Sequence, residues 1–173
     1  MSSELNIKVN NPGSLKTFIE KTYSVLTKIN LVVQPQLKVL SDGQELFDTY
    51  LEDLVLCNTE TDITVEIPEY AKVFISIFSA GESEFLGEEG GFWAYFEVGK
   101  MLCQSVFLMF ILALTYAKLT GEKIVYESCI LTSDRYISVD NVMNIIRIST
   151  RKDFTDYSIE VCRKLGIYCD VLG

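Results

Sequence analysis

The chain has 173 residues, 49% of them hydrophobic and 12% aromatic, enough for one domain with a sizeable core and too apolar for a disordered chain. Net charge is −9 and histidine is absent, which removes His-based metal sites, Ser-His and Cys-His nucleophile pairs and the usual proton shuttle together. The five cysteines, Cys57, Cys103, Cys129, Cys162 and Cys169, are odd in number and form no CxxC pair, so buried inert thiols are expected rather than a disulfide framework or a zinc knuckle.

The start, MSSELNIKVN, has no basic stretch followed by an apolar one, which points away from a signal peptide and makes the cytoplasm the expected location. Leu5, Ile7 and Val9 alternate with Asn6 and Lys8, predicting a short strand that ends at the Asn10–Gly13 turn. Ser14 then caps a helix to about Ile29, with Leu15, Phe18, Ile19, Val25 and Leu26 on one stripe. Pro35 interrupts the next run, leaving one strand around Gln36–Leu40. Ser41-Asp42-Gly43 reads as a turn and cap opening a second helix over 43–54, whose polar face carries Asp48, Glu52 and Asp53. Ile63–Ile67 and Lys72–Ser79 both alternate and form a hairpin. GESEFLGEEGG follows, a glycine-punctuated loop that displays Phe85 and Leu86 among Glu82, Glu84, Glu88 and Glu89.

From Phe92 to Leu119 the chain runs 28 residues with no proline and three charges, and reads as one helix about 42 Å long, entered past Gly90-Gly91 and closed by Lys118 and Gly121. Glu97, Lys100 and Gln104 form its solvated stripe. Ser105–Leu114 is apolar all round, which suits the centre of a domain or lipid, and the length decides for a core helix. A strand over KIVYES, a helix capped near Ser138, a last helix over DFTDYSIEVCRKLG and a terminal strand in IYCDVL complete the chain. The expected fold is α+β: residues 1–173 as a single domain, with a mixed or mainly antiparallel sheet packed against one long central apolar helix plus smaller helices.

The charge is unevenly distributed. Residues 41–90 hold 13 acids against Lys72 alone, a balance of −12, which leaves +3 for the rest of the chain. A field of that sign repels phosphate, so nucleic acid is not the expected ligand, whereas a basic protein partner gains in encounter rate and selectivity. The acidic loop has neither a Walker A spacing nor a 12-residue calcium pattern, so no cofactor and no metal is expected. Phe92, Trp93, Tyr95 and Phe96 cluster where that loop ends; most should be core, with Trp93 as the candidate interface anchor beside the acidic residues.

The segment 90–130, an aromatic GFWAYF entry followed by a long apolar helix and then a turn and strand in LALTYAKLTGEKIVYES, resembles immunity proteins of bacterial polymorphic toxin systems, including contact-dependent growth inhibition. The resemblance implies an intracellular, non-enzymatic protein that binds one cognate toxin domain, commonly a basic nuclease, and blocks its active site or substrate surface. It transfers no binding residue. The expected partner surface comes instead from the acidic third: Asp48, Glu52, Asp53, Glu82, Glu84, Phe85, Glu88, Glu89 and Trp93. The alternative is a homodimeric structural or regulatory module, joined near Leu108 and Ile111 of the long helix; no membrane contact is expected.

Overall fold

Phe92–Val98 is a strand at the centre of a sheet, where continuity of apolar residues had predicted the first two turns of a helix. In the computed structural model, which describes residues 3–29, 31–41, 43–46, 63–79, 92–127 and 136–171, the elements are β1 (Ser3–Val9), α1 (Leu15–Lys28), β2 (Lys38–Ser41), β3 (Gln44–Glu45), β4 (Ile63–Ile67), β5 (Ala71–Ser79), β6 (Phe92–Val98), α2 (Cys103–Thr120), β7 (Ile124–Glu127), β8 (Tyr136–Ser138), α3 (Val139–Ile148) and α4 (Phe154–Lys164). The eight strands make one sheet in the order β3-β2-β4-β5-β6-β1-β7-β8, and every neighbouring pair is antiparallel. The α+β class is as expected.

β6 alternates with period two: Phe92, Ala94 and Phe96 lie opposite Val9, Ile7 and Leu5 of β1 on the inner face, with Val98 beyond them, while Trp93, Tyr95 and Glu97 lie on the outer one. Aromatic and branched side chains suit a pleated surface with neighbours on both sides, and β1 and β5 supply them. The chain then breaks at Gly99-Lys100 and the helix starts only at Cys103. Its length of 18 residues corresponds to about 27 Å.

α2 is the core. Every residue from Cys103 to Ala117 is buried, and the helix touches β1, β5, β6 and β7 on its sheet side and α1, α3 and α4 around it. By length and composition it could cross a membrane, yet 83% of it is buried inside the protein, which is the core placement the sequence favoured. Leu108 and Ile111 are wholly buried, so the dimer surface expected there does not exist. A helix apolar all round has no preferred outward face, so the sheet and three helices must enclose it. Its end matches expectation: Lys118 stands in the last turn, and Gly121 adopts the left-handed C-cap at φ 83°.

The Ser14 cap falls where predicted, and Asp153 caps α4 in addition. Ser14 Oγ accepts from the Thr17 amide at 3.3 Å, and the Asp153 carboxylate accepts from Thr155 and Asp156 at 2.9 and 3.3 Å. The helix expected over 43–54 is corrected at its start: Gln44–Glu45 pair with Leu40 and Ser41 as β3, because Gly43 at φ 77° closes a tight hairpin instead of opening a helix. Its remainder beyond Leu46 lies outside the described residues. The terminal strand reduces to one parallel bridge between Leu102 and Asp170.

Candidate functional site

Nine residues were expected to form a partner surface. Eight of them, Asp48, Glu52, Asp53, Glu82, Glu84, Phe85, Glu88 and Glu89, lie outside the described residues. Trp93 is described: it projects from the outer face of β6 but is 3% exposed, edge-on to Tyr126 with ring centroids 5.7 Å apart. That is an interior position, where an exposed anchor was expected.

The sheet nevertheless shows where the acidic segments attach. Ser41, Ile63 and Ile75 are lateral neighbours across β2, β4 and β5, and β5 continues from Ile75 to Ser79, which pairs with Phe92. The start of β4, the end of β5 and the start of β6 therefore share one end of the sheet. Residues 47–62 lead into that end, and 80–91 connect two strands there. Of the 13 acids between 41 and 90, Glu45, Glu66 and Glu69 are among the described residues, and nine of the remaining ten belong to those two segments.

The described outer face is close to charge balance. Lys38 bridges Glu45 at 3.3 Å and Glu66 at 3.8 Å, the Lys72 ammonium stands 5.0 Å from the Phe74 ring centre, and Tyr95 donates its hydroxyl proton to Glu4. Such partly exposed pairs contribute about 0–1 kcal/mol each and leave little net field. The acidic excess belongs to segments 47–62 and 80–91, outside the described residues.

On the helical side, a cleft of about 580 Å³ is lined by Val32, Val33, Pro35, Tyr70 and Phe154, with Lys152 and Asp153 at its margin. Its one carboxylate is already engaged as the N-cap of α4. Near the start of α4's last turn, Lys164 pairs with Glu160 at 2.6 Å, and the Glu160 carboxylate accepts from the Thr150 and Arg151 amides at 3.3 and 3.2 Å. The Lys164 hydrogen bond, reinforced by those two amides, holds Glu160 below the ordinary carboxylate range.

The thiols depart most from expectation. Cys103, the first residue of α2, forms a disulfide with Cys169 across a sequence separation of 66, with a Cα–Cα distance of 5.1 Å. Cys162 of α4 lies beside them, its Sγ donating to the Cys103 carbonyl at 3.7 Å, and the three sulfurs are all within 4.8 Å of one another. Burial pushes the Cys162 thiol up to about 12. No local spacing signals this cluster, because its members come from two helices and the tail.

No family model matches the chain, and no curated protein or solved structure does.

Proposed function

We propose that this protein is a non-enzymatic immunity protein, acting inside the cell, that neutralises a basic toxin domain, a nuclease foremost, by presenting acidic side chains where the toxin would bind phosphate. One observation carries the reading: nine acids, Asp48, Glu52, Asp53, Glu60, Asp62, Glu82, Glu84, Glu88 and Glu89, belong to two chain segments, of which 47–62 enters β4 and 80–91 joins β5 to β6 at the same end of the sheet. Acidic charge concentrated in these two segments steers a basic partner toward them, while the balanced described sheet face contributes little field. The resemblance of 90–130 to immunity proteins supports the same reading.

The experiment is co-purification of the tagged protein with the toxin-domain candidate encoded beside it, native mass spectrometry of the product, and association kinetics. A 1:1 complex is expected, with Glu84→Lys/Glu88→Lys slowing association well beyond twofold at low salt and little at high salt. An on-rate within twofold of the unaltered chain would remove the acidic surface from the reading, and absence of any complex would remove the immunity role.

A further inference from the structure

The disulfide accounts for two of the three clustered sulfurs. It does not account for Cys162, 1% exposed and within 4.8 Å of both. Three elements converge to place this group. Cys103 begins α2, whose N-cap residue Leu102 supplies no side-chain cap and whose first turn holds no acid, so the positive end of the helix faces the sulfurs. Cys162 is locked by α4. Cys169 is carried by the tail, which turns at Gly166 (φ 71°) and is pinned to α2 by Cys103 N–H to Asp170 O at 2.8 Å and Asp170 N–H to Met101 O at 2.7 Å.

We infer that, with the disulfide reduced, Cys103, Cys162 and Cys169 form a binding site for a thiophilic d10 divalent cation of the zinc class. The donor set selects for it: three soft sulfurs with no histidine anywhere in the chain, and no oxygen ligand in the cluster. The scale agrees. A cation about 2.3 Å from each sulfur needs sulfurs about 3.8–4.0 Å apart, within the 4.8 Å that encloses these three once the bonded pair opens. Cys103 and Cys162 are buried while Cys169 is half-buried, so solvent reaches the site on the tail side and supplies a fourth ligand. Three thiolates on a divalent cation leave one net negative charge, which the α2 N-terminus offsets. The cytoplasmic setting in the proposed function matters only for which redox form prevails, since reducing compartments keep thiols free.

Loading balances in two steps. A phosphine reductant takes the oxygen of one water as the disulfide gains two electrons and two protons, giving two thiols and a phosphine oxide. The cation then displaces three protons from three thiols. The test uses the phosphine-reduced chain carrying Cys57→Ser and Cys129→Ser, titrated with Cd²⁺ and Co²⁺. A saturable sulfur-to-metal charge-transfer band at one ion per chain is expected, and Cys162→Ser should weaken binding by more than the roughly 10–100-fold typical of lost second-shell partners. Absence of a saturable band, or undiminished affinity in Cys162→Ser, overturns the site. A second measurement needs no substitution: Zn²⁺ should protect Cys103, Cys162 and Cys169 of the reduced natural chain from alkylation, read by peptide mass spectrometry, and labelling that Zn²⁺ does not change overturns it. Neither assay involves a toxin, so failure here leaves the immunity reading standing, and the reverse holds.

Discussion

The Tyr116 hydroxyl donates to the carbonyl of Pro12 at 2.9 Å across 104 residues of sequence, in a fully buried setting. It ties the C-terminal part of the protein's central helix to the turn that launches α1. The same ring meets Phe18 of α1 at 5.2 Å and Phe96 of β6 at 5.9 Å, so one side chain joins helix, helix and sheet. Tyr116→Phe keeps the ring packing and strands the Pro12 carbonyl, which should cost about 1–3 kcal/mol. Urea unfolding should show a lower midpoint at unchanged slope, and a midpoint equal to that of the natural chain would mean that water replaces the phenol.

The Cys103–Cys169 disulfide closes a loop with a sequence separation of 66, and restricting the unfolded chain over that length contributes about 2–4 kcal/mol. Cys169→Ser should therefore lower stability by that amount under oxidising conditions. With reductant and chelator present, the two proteins should unfold nearly together. A difference of the full size under those reducing conditions would place the effect in packing instead.

Glu160 supports an acid-side dependence. Its folded-state pKa lies below the ordinary value of 4.5, first through the Lys164 hydrogen bond and then through the Thr150 and Arg151 amides. A depressed carboxylate binds fewer protons folded than unfolded, so its stabilising contribution is present above pH 4.5 and is lost as the pH falls through the folded value. Glu160→Gln should flatten the fall in thermal midpoint below that pH while lowering the midpoint near neutrality. An unchanged acid limb would show that the pair is broken in solution.

Tyr157 supplies the alkaline counterpart. Burial, with a smaller contribution from Glu160, raises its phenol from 10.0 to about 12, and its hydroxyl donates to the Ile146 carbonyl, joining α4 to α3. A raised phenol keeps its proton longer in the folded state, so its contribution is complete below pH 10 and declines as the pH climbs to about 12. Tyr157→Phe should be less stable at neutral pH by about 1–3 kcal/mol, from the unpaired Ile146 carbonyl, and should lose stability less steeply on the alkaline side. Parallel alkaline slopes in the two proteins would contradict this.

Much of the architecture was legible because its signals are local. Alternation in Leu5–Val9 and in the 63–79 hairpin, the Ser14 cap, and Gly121 and Gly166 at helix ends depend on contacts within a few residues. Two readings failed where a local pattern admits two answers. Phe92–Val98 is apolar enough for a buried helix, but its period of two is satisfied only because β1 and β5 flank it. Asp42-Gly43 serves equally as a helix entry or as a hairpin turn, and pairing of Ser41 with Gln44 selects the hairpin.

The candidate sites divide along the same line. Composition alone determined that residues 41–90 carry the acidic excess and that no histidine chemistry operates here, since both follow from which residues are present. It also determined that Ser105–Leu114 requires an apolar surrounding, the centre of a domain or lipid. Tertiary structure alone decided that β4 starts, and β5 gives way to β6, at the same end of the sheet, that Trp93 is interior, and that Cys103, Cys162 and Cys169 meet. Chain separation hides such encounters: 59 residues part Cys103 from Cys162, and only the enclosure of α2 by its neighbours brings the start of one helix, the end of another and the tail to a single point.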